Sequence, residues 1–254
     1  MRILKSLCIT FSIYSKIPVP QFAWKEEDMK YIFCFFPWIG AIIGAALYFW
    51  GTFCKAYEID VLPYSFICAA IPLIITGGFH VDGFMDTMDA FHSYQPKERK
   101  LEILKDSHIG AFAVIMLGLY GMIYLAAFSE IQDKSLLGIV CAGFYLARCF
   151  SGISVVSFPL AKKDGLLYLF ANNAQKNIVR GTLYLQGAVC IGFILWQSVY
   201  AGGIVLMAAM GAWVYYYYRC KKELSGITGD TAGYFVLLCE GSMMVAAALI
   251  NIFM

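Results

Sequence analysis

Seven apolar stretches, each long enough to cross a bilayer, constrain this chain more than any other feature. They run from Tyr31 to Cys54, Leu62 to Phe79, Gly110 to Phe128, Leu136 to Phe158, Gly181 to Tyr200, Gly202 to Tyr218 and Tyr234 to Phe253. A hydrocarbon core of about 30 Å takes about 20 helical residues. The stretches are near-continuous and lack the alternation of a membrane barrel, and a helix satisfies its own backbone groups in lipid. The expectation is an all-α, polytopic integral membrane protein. Composition agrees: of 254 residues, 61% are hydrophobic and 14% charged, with a mean hydropathy of +0.70. The 19 basic and 17 acidic side chains are too few to wet a soluble surface of this size. A net charge of +2 offers no field to draw nucleic acid, so membrane lipid is the expected surrounding and nucleic acid is not an expected partner.

Charge in the connections sets the orientation, because loops rich in Lys and Arg stay in the cytoplasm. Residues 1–30 carry Arg2, Lys5, Lys16, Lys25 and Lys30. The later connections on that side carry Lys97, Arg99, Lys100 and Lys105, then Lys162, Lys163, Lys176 and Arg180, then Arg219, Lys221 and Lys222. Only Lys55 and Lys134 fall on the other side, with Arg148 inside a span. The N-terminus is therefore expected in the cytoplasm, in a bacterial or archaeal cytoplasmic (inner) membrane, with any chemistry facing inward. Lys5 and Lys16 interrupt the apolar N-terminal segment, which reads as an amphipathic interfacial helix stopped before Pro18 rather than a signal peptide. The nine cysteines lie mostly inside apolar runs, with no C-x-x-C pair, and read as small buried hydrophobes. No repeat or linker divides the chain, so residues 1–254 read as one membrane domain. Its oligomeric state stays open, a homo-oligomer included.

The segment Gly77 to Gly110, GGFHVDGFMDTMDAFHSYQPKERKLEILKDSHIG, holds six of the acidic residues and all three histidines. Asp82, Asp86 and Asp89 stand at i, i+4 and i+7, which on a helix places them within about 60° of one another. Carboxylates so arranged repel unless a cation joins them. Hard oxygen donors suit Mg²⁺ or Mn²⁺ held together with substrate phosphates. The bland alternative is a solvated acidic face, but charges abutting an apolar span are usually functional. Downstream, Arg99 and Lys105 are poised to meet phosphate, or serve only as positive-inside charge. Asp106 and Ser107 read equally as a helix cap or as part of a site. His80 is a candidate proton acceptor, although on a helix it points about 160° from Asp82; His92 and His108 carry weaker cases.

Two features lie elsewhere. Arg148 is a charge deep in an apolar span, which calls for an anionic partner or substrate, and Glu240 in the last span is its candidate. GITGDTAG, residues 226–233, places Thr228, Gly229 and Asp230 at the mouth of the last span, either as a capped turn or as a backbone cradle for phosphate.

These segments together resemble the cobalamin synthase family, the adenosylcobinamide-GDP ribazoletransferases. KIPVP at Lys16 to Pro20 is similar to the family's R-I-P-V-P, and FPWIGAIIG at Phe36 to Gly44 to the start of its first span. GGFHVDGFMDTMDA resembles G-G-x-H-x-D-G-x-x-D-T-x-D, and GITGDTAG resembles the late G-G-x-T-G-D-x-x-G. Lys16 and His108 stand where Arg is usual, Ala90 where Gly is common, and Ser225 replaces a Gly. The resemblance implies a Mg²⁺-dependent transfer of the adenosylcobinamide phosphate moiety onto α-ribazole or its 5′-phosphate, with release of GMP. Asp82, Asp86 and Asp89 would then hold the metal, and Arg99, Lys105, Asp106, Ser107, Arg148, Thr228, Gly229 and Asp230 would contact substrate. Two rivals remain at this stage. A CDP-alcohol phosphotransferase shares part of the aspartate pattern but has Ala where Asp86 stands. A small cation-coupled transporter would use Arg148 and Glu240.

Overall fold

A computed structural model describes residues 2–253; Met1, Met254 and the side chain of Arg2 lie outside the described residues. Among the described residues the chain is all helix apart from loops and one isolated bridge between Leu160 and Ile227. Six of the expected spans are single helices: α2 (Ile32–Ala56), α6 (Ala111–Glu130), α7 (Lys134–Ser157), α9 (Lys176–Gln197), α10 (Val199–Leu224) and α11 (Gly229–Phe253). The amphipathic helix is α1 (Arg2–Tyr14), which buries Cys8, Ile9 and Phe11 and leaves Ile3 and Leu4 exposed.

The second span differs from expectation. The apolar run was expected to continue to Phe79, but α3 (Val61–Thr76) stops after 16 residues and the chain turns by 97° into α4 (Phe79–His92). The turn is made by Gly77 and Gly78, both left-handed with φ of +65° and +80°, a conformation that costs glycine nothing sterically. The Gly77 amide closes α3 on the Leu73 carbonyl at 2.8 Å, and Lys16, just past α1, donates its own amide to Ile75 at 2.8 Å. The acidic helix α4 thus leaves the line of α3 and lies across the end of the bundle.

At the centre stands α7, buried along nearly its whole length and packed by α2, α9 and α11. Asp133 starts it by accepting the amides of Ser135 and Leu136 at 2.8 and 3.0 Å. Gly40 and Gly44 let α2 lie directly on the α7 backbone, because a Cβ at either would overlap the carbonyl of Phe144 or Cys141. A second close crossing joins α4 to α11: a Cβ at Gly83 would press on the backbone of Asp230, and one at Gly233 on that of His80. The remaining helices, α5 (Lys97–Ile103) and α8 (Gly165–Asn173), are short and lie in the longer connections. The α7–α8 loop is tied to the start of α11 by paired backbone bonds, Ala161 to Ile227 and Ile227 to Pro159, each 2.9 Å.

Candidate active site

The α4–α11 crossing and this backbone tie close around one cleft of about 290 Å³. It is lined by Asp82 and Gly83 from α4, Thr228 to Asp230 from the start of α11, and Lys162 and Asp164 from the α7–α8 loop, with Tyr14, Phe36 and His80 on its apolar side. Because the Gly83 contact is backbone to backbone, Asp82 and Asp230 are held close by packing and not by a flexible side chain. Asp86 follows one turn along α4. Burial, and then the charges of Asp82, Asp230 and Asp89, push its carboxyl up to about 6. None of these four carboxylates forms an ion pair with Lys or Arg among the described residues. The nearest compensating cation is Lys162, half-buried opposite Asp230, whose ammonium is held below its usual range by burial against the pull of that carboxylate.

The three aspartates of α4 are therefore not equivalent. Asp89 accepts the amides of Gly110 and Ala113 at 2.7 and 2.8 Å, one on each oxygen, and so caps the N-terminus of α6. Its helix face is the expected one, but four unsatisfied amides at a helix start are a strong local competitor for a carboxylate. Asp230 from α11 takes the third place beside Asp82 and Asp86. Among the described residues no three carboxylate, imidazole or thiolate groups converge at metal-ligand distance. A Mg²⁺ ion asks for less than that, since one or two carboxylates plus substrate phosphate and water complete its shell. An acidic cluster with one half-buried lysine for three carboxylates, and with Asp86 driven toward its neutral form by burial and then by its neighbours, fits such a hard divalent cation.

The other expected residues divide. Thr228 is the cap of α11: its hydroxyl accepts the Thr231 amide at 3.2 Å and the Thr231 hydroxyl accepts its own amide at 2.8 Å. Gly229 lines the cleft, and only Leu167 would face a Cβ there. Lys105 reaches Asp164 at 3.0 Å at the rim. Arg99 instead pairs with Glu102 one turn away, both well exposed. Asp106 folds back on His108, accepting its amide at 3.0 Å within the loop before α6; it is neither the cap of that helix, whose first amides go to Asp89, nor part of the cleft lining. Ser107 is exposed and outside the cleft lining. His80 is buried between Tyr14, Phe36 and Phe79, with no hydrogen bond to either ring nitrogen. Arg148 lies deeper, joined to Glu240 at 2.6 Å and to the Phe144 carbonyl at 2.8 Å, which confirms the expected partner.

Sequence reasoning missed Lys162 and Asp164 as parts of the site. Both stand in a polar connection whose lysines read only as inward-facing charge; the bridge that folds this connection onto Ile227 has no local signature.

The cobalamin-5-phosphate synthase family model matches residues 6–248 of this chain. The chain belongs to that family. The adenosylcobinamide-GDP ribazoletransferase of Lachnoclostridium phytofermentans is 39% identical over 94% of this chain and 92% of its own length. Those of Clostridium perfringens, at 32% identity over 93% and 94%, and Listeria monocytogenes, at 31% over 91% and 92%, are similar throughout as well. No solved structure matches. Membership in the cobalamin-5-phosphate synthase family places the chain among the transferases of cobalamin synthesis, and two of the segments that carried the resemblance build the cleft: GGFHVDGFMDTMDA supplies most of α4 and GITGDTAG its facing loop.

Proposed function

We propose that the chain transfers the adenosylcobinamide phosphate moiety of adenosylcobinamide-GDP onto α-ribazole or α-ribazole 5′-phosphate. A ribose hydroxyl oxygen forms the new bond to the cobinamide-side phosphorus, the bond from that phosphorus to the GMP oxygen breaks, and the hydroxyl proton is released. The observation that carries this reading is the under-compensated cluster of Asp82, Asp86 and Asp230 at the α4–α11 crossing, three carboxylates facing one half-buried lysine, in a chain matched to its relatives almost end to end.

Asp82 and Asp86, with Asp230 facing them, are the residues that would hold Mg²⁺, which would neutralise the diphosphate and stabilise charge on the leaving phosphate. Lys162 and the amides at the start of α11 present positive charge to phosphate oxygens from the opposite wall. Lys105, tethered to Asp164 at the rim, is free to exchange that exposed partner for a phosphate. The apolar side formed by Tyr14, Phe36 and His80 excludes water and orients the acceptor, so positioning and electrostatics supply most of the rate. The cleft faces the cytoplasm of a bacterial or archaeal cell, in support of which the basic connections lie at its end of the bundle.

The test is detergent-purified protein with adenosylcobinamide-GDP and α-ribazole phosphate, with and without Mg²⁺, read by GMP release and by mass spectrometry of the corrinoid. Metal-dependent product is expected; folded protein that makes none with either acceptor overturns the reading.

A further inference from the structure

The cleft runs deeper than its charged mouth. Beyond Asp82 and Asp230 its inner end is walled by Phe33 and Phe36 of α2, Val155 of α7, Phe170 of α8 and Ile227, none more than 4% exposed. Ser151, one turn before Val155, lines it as well, so one face of the central helix α7 forms its floor.

Two hydroxyls of the lining have no partner. Those of Ser151 and Tyr14, residues 3% and 8% exposed, make no hydrogen bond among the described residues. Ser154, on the same helix, instead donates to the Phe150 carbonyl at 2.8 Å and accepts the Trp213 indole N–H at 2.7 Å. Buried polar groups are normally satisfied, so a hydroxyl left free on the wall of an open space is completed from outside the protein. His80 lines the cleft too, but both its ring nitrogens are sealed in, and it presents no nitrogen there. The inner end therefore suits a flat, largely apolar group with very few hydrogen-bonding atoms.

We propose that the inner end of the cleft holds the aromatic base of the ribazole acceptor, with the Ser151 hydroxyl donating to the base's one free ring nitrogen; the inference rests on the ribazoletransferase reading above. Of the groups in that reaction, the corrin ring is far too large for a space of about 290 Å³. Guanine and adenine carry several donors and acceptors along their edges, which two hydroxyls would leave mostly unpaired. A benzimidazole joined to ribose through one nitrogen keeps a single acceptor nitrogen and an otherwise apolar edge. Size agrees: an apolar cavity of about 150 Å³ takes up benzene, and the cleft, at about 290 Å³, takes a two-ring base with the ribose following it outward. Tyr14 packs edge-on against Phe79 at 5.1 Å, and Phe79 is 40% exposed, so this hydroxyl stands nearer the mouth, on the side of the ribose. The reacting hydroxyl of the ribose then emerges toward Asp82 and Asp230.

The α-riboside of indole, which has carbon where the free nitrogen of benzimidazole stands, isolates that one bond. Ser151→Ala should raise the KM for α-ribazole about fivefold and leave the KM for the indole riboside, and that for adenosylcobinamide-GDP, unchanged. A serine with a merely structural role would move both ribosides alike. Val155→Phe, which fills the inner end, should raise the KM of both ribosides at least about tenfold, again without effect on adenosylcobinamide-GDP. Equal changes for the two ribosides in Ser151→Ala overturn the proposal, as does no change for either, which leaves the hydroxyl to water; a rise confined to adenosylcobinamide-GDP overturns it too and gives the space to guanine. If Val155→Phe fails to fold, Ser151→Ala, which removes a single oxygen, decides alone. Absence of GMP release by the unaltered protein defeats the ribazoletransferase reading instead. Equilibrium dialysis of α-ribazole alone then tests the inner end: retention that weakens in Ser151→Ala is expected, and no retention overturns it.

Discussion

Two groups of charges lie one above the other in this protein and are treated in opposite ways. Arg148 and Glu240, deep in the bundle and almost wholly buried, meet at 2.6 Å. Asp82, Asp86 and Asp230, at the mouth, have one another, the half-buried Lys162 and, for Asp230 alone, a long hydrogen bond from the Thr228 hydroxyl at 3.4 Å. A charge far from water must be neutralised by the fold itself, because nothing else arrives there. Near water the fold can leave like charges together and let a ligand complete them, at some cost to its own stability. The contrast separates an internal strut from a binding site.

The sharpest way to break this contrast is to remove one member of each group. Asp82→Asn and Asp86→Asn should lower kcat/KM by about 10³-fold or more, roughly 4 kcal/mol of transition-state stabilisation, without loss of thermal stability. For Asp86→Asn stability should increase slightly in metal-free protein. Its carboxyl titrates near 6 in the fold against a usual 3.8, so the ionised form is disfavoured on folding. The penalty appears as pH rises through that window and is complete above it. The gain from Asn should therefore be largest at pH 7 and above, about 1 kcal/mol after solvent screening of this half-exposed group, and vanish below about pH 4. Thermal unfolding in detergent across pH, with and without Mg²⁺, reads it; a variant less stable at pH 7 would count against an under-compensated cluster.

Glu240→Gln should act on stability first, by about 3 kcal/mol, because it strands a buried guanidinium. The double replacement Arg148→Met with Glu240→Leu should recover most of that loss. If single and double variants unfold alike, the pair is not what holds α7 to α11 at this depth.

How much of this was legible in the sequence follows the range of the interaction. The spans were legible because hydropathy is local, and Arg148 with Glu240 because a charge in an apolar run demands a partner wherever it lies. The stop at Thr76 was missed: the apolar run continues through Phe79, and two glycines redirect the helix without any change in hydropathy. The stripe of Asp82, Asp86 and Asp89 was right as helical geometry, yet spacing cannot show that the α6 amides compete for Asp89. Asp230 was seen as a member of its own loop, but its place beside Asp82 depends on Gly83 contacting a residue 147 positions later. Lys162 depends likewise on the bridge of Leu160 with Ile227.

Lys162 tests whether the wall opposite the aspartates shares in phosphate binding. Lys162→Met removes one charge-assisted contact, worth about 1.5–2 kcal/mol, and should raise the KM for adenosylcobinamide-GDP about tenfold or slightly more. The KM for the ribazole acceptor should change little. An equal rise in both would place the lysine in loop structure and not at the phosphate.

Asp89 gives the smallest effect and the finest discrimination, because spacing and structure assign it differently. As a third metal ligand on the α4 stripe it would behave like Asp82, and Asp89→Asn would cost about 10³-fold in kcat/KM. As the cap of α6 it holds two amides 21 and 24 residues away, and Asn keeps an acceptor oxygen for one of them. The expected outcome is then a loss of about 1 kcal/mol in stability, with kcat/KM within about tenfold of the unaltered enzyme and an unchanged Mg²⁺ requirement. Measuring the Mg²⁺ concentration for half-maximal rate in Asp82→Asn and Asp89→Asn side by side decides between them. A rightward shift in both restores the α4 triad as the metal site; a shift in Asp82→Asn alone leaves α4 with two ligands and gives the third place to α11.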